Sequence, residues 1–376
     1  MIYKDFQELK LSALGMGTMR LPTLDGDPDK IDEAKTLEMV RYALDKGINY
    51  FDTAFMYHGG NSEIVMGKVL KNFPRESFYL ADKFPGFYKE AFLDVRGTFE
   101  KQLSKCDVEY FDFYLFHNVT ERNVDDYMND EYGLMEFCLE QKRLGRIKHL
   151  GFSAHGELPT LRKFLEKYGK YMEFCQLQIN YLDWSFQKAK EKVELMKEYN
   201  IPVWVMEPVR GGTLASLPEE HANKLKEARP NESVVAWAFR FLQSIPEITM
   251  ILSGMSNEEQ LKQNIETFET DAVLNKEEMD LILSIAKEMT HGIPCTECRY
   301  CTTRCPLGLD IPSILKCENE RLFTGNVSWR LGALPEEKIP SACLGCKACE
   351  AVCPQEIKIA TLMKEIANTI KKKKNL

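Results

Sequence analysis

No apolar run in this chain approaches the roughly 20 residues that a membrane-spanning helix needs, so a bilayer-crossing segment is not expected. Positive charge is in deficit: 49 Lys and Arg stand against 57 Asp and Glu. The resulting net charge of −8 argues against nucleic acid as a main partner. The opening residues Met1-Ile2-Tyr3-Lys4-Asp5 have neither the basic stretch nor the apolar core of a secretory leader. No G-x-G-x-x-G turn follows the first strand-like run, which weakens the case for an open dinucleotide-binding sheet. What remains is a globular protein, expected in the cytoplasm, with neither membrane nor nucleic acid as its partner.

Cysteine, by contrast, is plentiful, with 12 in the chain. Cys295, Cys298, Cys301 and Cys305 are followed by Pro306, and Cys343, Cys346, Cys349 and Cys353 by Pro354. Each run reads C-x-x-C-x-x-C-x-x-x-C-P and resembles the bacterial ferredoxin pattern for a cubane iron–sulfur cluster. In that pattern three close thiolates wrap one cluster and the fourth reaches the other. The resemblance therefore implies two 4Fe–4S clusters, one on Cys295, Cys298, Cys301 and Cys353, the other on Cys343, Cys346, Cys349 and Cys305. Structural zinc is the first alternative, although zinc sites usually pair two C-x-x-C knuckles. A disulfide framework is the second, and it suits a secreted chain better than this one. Such clusters favour a reducing compartment. The scattered Cys106, Cys138, Cys175 and Cys317 read as small buried hydrophobes.

A chain of 376 residues suits a large barrel with a small appendage. Short apolar runs alternate with amphipathic stretches from about residue 40 to 270. The expected strands are Ala13–Gly17, Asn49–Thr53, Phe78–Lys83, Phe111–His117, Ile147–Ser153, Phe174–Asn180, Val203–Glu207 and Thr249–Ser253. Helix-period segments lie between them, including Ile31–Lys46, Glu63–Asn72, Lys89–Cys106, Leu158–Lys170 and Gln187–Tyr199. Regular alternation implies parallel strands with helical crossovers, and eight units predict a closed (β/α)8 barrel, a TIM barrel. A further helix at Lys276–Met289 leads to a linker, which sets the domains at 1–290 and 291–376. Helices expected at Ile311–Phe323 and Ile359–Ile370 make the second domain a small, mainly α-helical, ferredoxin-like one. The tract Lys371–Lys374 reads as a frayed helix end.

Active sites of such barrels lie at the C-terminal ends of the strands. There the sequence places Asp52, with Tyr57 five residues on, then Lys83 and His117. A phenol near pKa 10 is a poor acid at neutral pH, and an ammonium such as Lys83 is expected to lower that value. Asp52 can hold the lysine charged, and His117 can donate a hydrogen bond to a substrate carbonyl. Each residue also has a plainer role. Asp52 can cap a turn, Lys83 can snorkel to the rim, Tyr57 can be a loop aromatic and His117 a core histidine.

From about residue 10 to 270 the sequence resembles the aldo-keto reductase family. Asp52, Tyr57, Lys83 and His117 match the family's catalytic tetrad in order and approximate spacing. The segment GFSAHG implies a cofactor role for Ser153, and FCQLQINYLD one for Gln176, both at the nicotinamide amide. MEPVRGG occupies the loop after the seventh strand, and SGMSNEEQLKQN matches the last cofactor-binding segment, ending at Asn264. Met206 replaces a tyrosine that in many members stacks under the nicotinamide. Gly254 and Gln260 stand where basic residues hold the adenosine 2′-phosphate, which leaves NADPH and NADH both open. Arg210 is a candidate phosphate contact or a surface ion-pair residue. The whole chain resembles members that carry a C-terminal ferredoxin domain.

The resemblance implies reduction of a carbonyl, or oxidation of an alcohol, with Tyr57 as general acid or base. Nicotinamide passes electron pairs whereas iron–sulfur clusters pass single electrons, and a flavin commonly mediates between them. Three readings follow: a nicotinamide-dependent reductase with a cluster relay; an electron-transfer protein whose barrel docks a partner or binds a flavin while its clusters serve a ferredoxin; and clusters acting only as folding staples. Tyr88, Trp184 and Phe186 are candidate pocket aromatics.

Overall fold

The structure, a computed structural model, describes residues 1–290, 292–295, 299–353 and 355–374. The chain divides into two compact units, Met1–Ile282 and Leu283–Leu376. Among the described residues no helix is long and apolar enough to cross a membrane.

Eight strands form the barrel of the first unit: β1 (Leu14–Gly17), β2 (Tyr50–Asp52), β3 (Tyr79–Phe84), β4 (Phe111–Val119), β5 (Ile147–Ala154), β6 (Phe174–Gln178), β7 (Val203–Met206) and β8 (Ile248–Gly254). They close into a parallel barrel in the order β8-β1-β2-β3-β4-β5-β6-β7, the expected topology. In β4 every residue except Asn118 is buried, because side chains fill the inside while helices cover the outside. Alternation in steps of two then fixes which residues meet at the centre. Tyr50, Ala81, Phe113, Phe174, Trp204 and Met250 form the lower layer of the interior. Phe174 and Trp204 meet with ring centroids 4.1 Å apart.

An antiparallel pair of short strands, Tyr3–Phe6 and Leu9–Ser12, precedes the barrel and was not among the expected elements. Its Phe6 ring lies 5.0 Å from Trp204 and 5.1 Å from His149, closing the N-terminal mouth. The turn is Gln7-Glu8 with Gln7 at φ 52°, so the Asn-Gly or Asp-Gly signal of such turns is missing.

Three helices matter for the site. α1 (Asn61–Leu70) follows the β2 loop, α2 (Val95–Cys106) follows β3, and α3 (Leu134–Arg143) follows β4. The stretch expected as one helix, Lys89–Cys106, is broken at Asp94, whose φ of −139° is not helical. Its carboxylate accepts the Gly97 N–H at 2.8 Å and starts α2 afresh, since aspartate is favoured as a cap.

The second unit is mainly helical, as expected, around α4 (Ile311–Thr324) and α5 (Ile359–Lys374). Ile311, Ile314, Leu315, Met363 and Ile366 build its core, with Cys301, Cys317 and Cys349 buried among them. α5 runs on through Lys374, so the lysine tract expected to fray is helical backbone.

Candidate active site at the barrel mouth

Inward alternation carries Asp52 one layer above Tyr50, Lys83 above Ala81 and His117 above Leu115. The three strand ends are tied together by backbone register, with Asp52 opposite Ala81 and Lys83 opposite Leu115. Lys83 is 1% exposed. Its ammonium donates to Asp52 Oδ1 at 2.5 Å, to the Thr53 carbonyl at 2.7 Å and to the Tyr57 hydroxyl at 3.4 Å.

Tyr57 reaches that position from a loop bent by three left-handed residues, His58, Gly59 and Gly60. His58 pins the loop: Nε2 accepts the Leu21 N–H at 3.1 Å, so Nδ1 is the nitrogen that donates to the Pro28 carbonyl at 2.5 Å. His117 lies edge-on to Tyr57 with centroids 6.1 Å apart. The Tyr127 hydroxyl donates to the carbonyls of both Phe84 and His117, holding those two strand ends at one height.

Electrostatics sharpen the picture and correct one expectation. Loss of water around its hydroxyl raises the Tyr57 pKa above 10; Lys83 opposes this and Asp52 reinforces it. The net direction is upward, against the lowering expected from Lys83 alone. Burial works to lower the Lys83 pKa, but Asp52 and Tyr57 outweigh it, so the ammonium stays charged. Burial, helped by Lys83 and His155, pushes His117 well below 6.5, which makes it a neutral imidazole at pH 7. Its Nδ1 is buried without a hydrogen-bond partner among the described residues. A bare lone pair there costs less than a buried N–H, which leaves the proton on Nε2.

In the second unit, Cys305, Cys343, Cys346 and Cys349 line one cavity together with Leu309 and Met363. Among the described residues no three ligating side chains converge closely enough to hold a lone ion. Four thiols around a wider apolar cavity fit a group larger than one metal atom, and they form the mixed set drawn from both cysteine runs. Burial pushes the Cys349 thiol up to about 11, with Cys343 and Cys301 adding to the rise. Cys295 and Cys353 pack against the same core that holds Cys301. Cys298 lies outside the described residues. No disulfide joins any two of the described cysteines. Cys106, Cys138, Cys175 and Cys317 are all buried.

Residues 13–287 match the aldo/keto reductase family. The chain belongs to that family. Residues 294–359 match the 4Fe-4S dicluster domain, so an oxidoreductase barrel is followed by an iron–sulfur module. A probable aldo-keto reductase 1 of Glycine max is 30% identical over 215 residues, which cover 55% of this chain and 58% of that protein. The NADH-specific methylglyoxal reductase of Escherichia coli K12 is 24% identical over 76% of this chain and 97% of its own length. The solved aldo-keto reductase AKR11C1 from Bacillus halodurans, in its holo form, superposes with a TM-score of 0.61. It is 26% identical over 76% of this chain and 96% of that one.

Within this aldo/keto reductase barrel the remaining candidates divide into two groups. Gln176 donates from Nε2 to Asp52 Oδ2 at 2.7 Å, so Asp52 is gripped on one oxygen by Lys83 and on the other by Gln176. Ser153 Oγ accepts the Asn118 N–H at 2.8 Å, and Asn264 donates to Ser253 Oγ at 3.2 Å. Met206 is half-buried at the end of β7, opposite Gln178, and Gly254 is exposed at the end of β8. Arg210 stands apart: it is buried, its Nε bonded to both Asp183 oxygens at 3.1 Å and its guanidinium over the Phe186 ring. It is therefore not the surface ion-pair residue considered from sequence. Trp184 packs on Phe241. Tyr88 is exposed and packs on Phe55 and Phe87. Phe87, not singled out from sequence, contacts His117 edge-on at 4.9 Å; an aromatic next to Tyr88 in a strand-end loop was its only signal.

Proposed function

We propose that the barrel, residues 1–290, interconverts a small carbonyl compound and its alcohol using a nicotinamide cofactor, with Tyr57 as general acid or base. One observation carries this reading: the Lys83 ammonium sits between Asp52 Oδ1 and the Tyr57 hydroxyl at the strand ends. Ser153, Gln176, Met206, Arg210, Gly254 and Asn264 would hold the cofactor, which when bound supplies or accepts the hydride. The chain's own groups do the rest. Neutral His117 donates from Nε2 to the substrate oxygen and orients it. Tyr57 gives its proton to that oxygen in reduction and takes one back in oxidation. Lys83 stabilises the phenolate that forms, and Asp52, gripped by Gln176, keeps Lys83 in place.

NADH is the cofactor this reading favours. Gly254 has no side chain, and Gln260 spends its amide oxygen on the Ser256 N–H at 2.8 Å, so neither supplies a cation for a 2′-phosphate. The Escherichia coli relative is itself named NADH-specific. With methylglyoxal as probe, anaerobically prepared protein should consume NADH. Tyr57→Phe should cut that rate by about 100-fold or more, and turnover that survived the change would remove Tyr57 from its role.

Residues 291–376 would hold two 4Fe–4S clusters in a reducing cytoplasm, on the two mixed cysteine sets given above. Residues 344–348, including Cys346, are exposed, which supports exchange of single electrons with an external carrier such as ferredoxin. Iron analysis should give about eight irons per chain. Cys349→Ala should remove one of two reduced-cluster signals from the low-temperature EPR spectrum, and two zinc ions per chain would end the cluster assignment.

A further inference from the structure

The outer face of β3 carries a second group of buried polar side chains, which the reaction above leaves unused. Asp82 lies between Ala81 and Lys83, so alternation turns it away from the interior and into the layer under α1 and α2. There it meets Glu63 of α1 and Cys106 of α2, and Gln102 of α2 joins the group. Glu63, Asp82 and Gln102 are each 0% exposed, and buried polar groups at that depth must find partners.

The partners converge on the peptide groups of Lys83. The ladder between β2 and β3 stops at the pair Asp52 and Ala81, with the Thr53 N–H on the Ala81 carbonyl. On that side Lys83 has no strand left to bond. Asp82 Oδ1 accepts the Lys83 N–H at 2.8 Å, and Gln102 Nε2 donates to the Lys83 carbonyl at 2.9 Å. Gln102 also donates to Glu63 Oε1 at 3.1 Å, while the Tyr114 hydroxyl donates to its Oε1 at 2.6 Å and sets the amide's direction. Lys105 pairs with the other Glu63 oxygen. Glu63 is also the carboxylate neighbour of Asp82, and two buried carboxyls at close quarters do not both ionise cheaply.

We propose that Asp82 acts with Gln102 as a pair of positioning residues that clamp the Lys83 peptide. The clamp thereby holds the Lys83 ammonium between Asp52 and Tyr57. This rests on the reductase reading of Lys83. The titratable groups around Asp82 are Lys83 on its own strand, Glu63 from α1, Cys106 from α2, Tyr114 from β4 and Tyr57 from the loop after β2, while Lys105 of α2 sits on Glu63. Burial and then Glu63 push the Asp82 carboxyl well above its usual range, and burial likewise keeps the Cys106 thiol neutral.

Asp82→Asn keeps an acceptor for Lys83 and adds a fixed donor for Glu63, whereas Asp82→Ala and Gln102→Leu remove one jaw each. With methylglyoxal and NADH, D82N should keep kcat within about twofold, while D82A and Q102L should lose about 10- to 100-fold in kcat at nearly unchanged KM. A raised carboxyl pKa also makes the wild type lose stability as pH rises from about 4 towards the folded-state value. D82N should therefore melt above the wild type at pH 7, with the gap closing below pH 4. A pH-independent gap would overturn a protonated Asp82. D82N as damaged in kcat as D82A, or Q102L with wild-type kcat, would overturn the clamp. Should the wild type reduce no carbonyl at all, the reductase reading fails by itself, and the melting comparison still decides on the proton.

Discussion

A phenol half-buried beside an ammonium is pulled two ways. Loss of water favours the neutral Tyr57 hydroxyl and raises its pKa, whereas Lys83 favours the phenolate. The balance lies on the neutral side, so Tyr57 holds its proton at neutral pH, ready to give it up in reduction. Alcohol oxidation needs the phenolate, and its rate rises as Tyr57 loses its proton. Lys83→Met removes the charge that favours the phenolate, so the alkaline rise of the oxidation rate should move to higher pH, read from initial rates across a pH series. An unmoved profile would show that Lys83 does not act through the phenol. The strand-end positions of Asp52, Lys83 and His117 were legible in sequence because strand period alone determines them. The bond from Gln176 to Asp52 spans 124 positions, and the edge contact of Phe87 on His117 depends on a loop path. Neither leaves a local pattern.

Between elements, the decisive contacts are polar as often as apolar. Glu173 joins the opening strand pair, α3 and β5: its oxygens take Gln7, Lys142, His149 and the Leu150 N–H. Burial alone would raise its pKa, yet His149, Leu150, Lys142 and Gln7 outweigh it and bring the carboxyl down to about 2. A depressed carboxyl contributes stability above its unfolded value near 4.5 and loses it as pH falls through about 2. Discounted for solvent screening at a partly exposed group, the shift is worth about 1–2 kcal/mol. Glu173→Gln should accordingly unfold at lower denaturant than wild type at pH 7, with the two curves converging towards pH 2. A constant difference across that range would mean that packing, not charge, carries the effect. All eight strands were readable from apolar runs. The opening strand pair was not, because its Gln7-Glu8 turn carries no conventional signal, and the break at Asp94 hid inside a continuous helical period.

For the chain taken entire, two units of different physical character follow one another. The barrel has a deep aromatic interior, whereas the second unit is smaller and seven of its cysteines belong to its core or pack on it. Thiols crowded around a cavity need metal to become thiolates, and metal binding then adds to folding free energy. Removing iron with a chelator under reducing conditions should abolish the calorimetric transition of residues 283–376 and leave that of the barrel near its original temperature. An unchanged pair of transitions would show that the clusters are not needed for that fold.

The sequence by itself determined the parallel barrel, the doubled cysteine runs and the order of the four strand-end residues, because strand period, crossover length and ligand spacing are local properties of a chain. Only the tertiary structure decided which way Tyr57 is shifted, how Asp52 is gripped from both sides, and that Asp82, Glu63 and Gln102 close on the Lys83 peptide. Those outcomes depend on solvent exclusion and on contacts between distant segments, and these come into being only when the barrel closes.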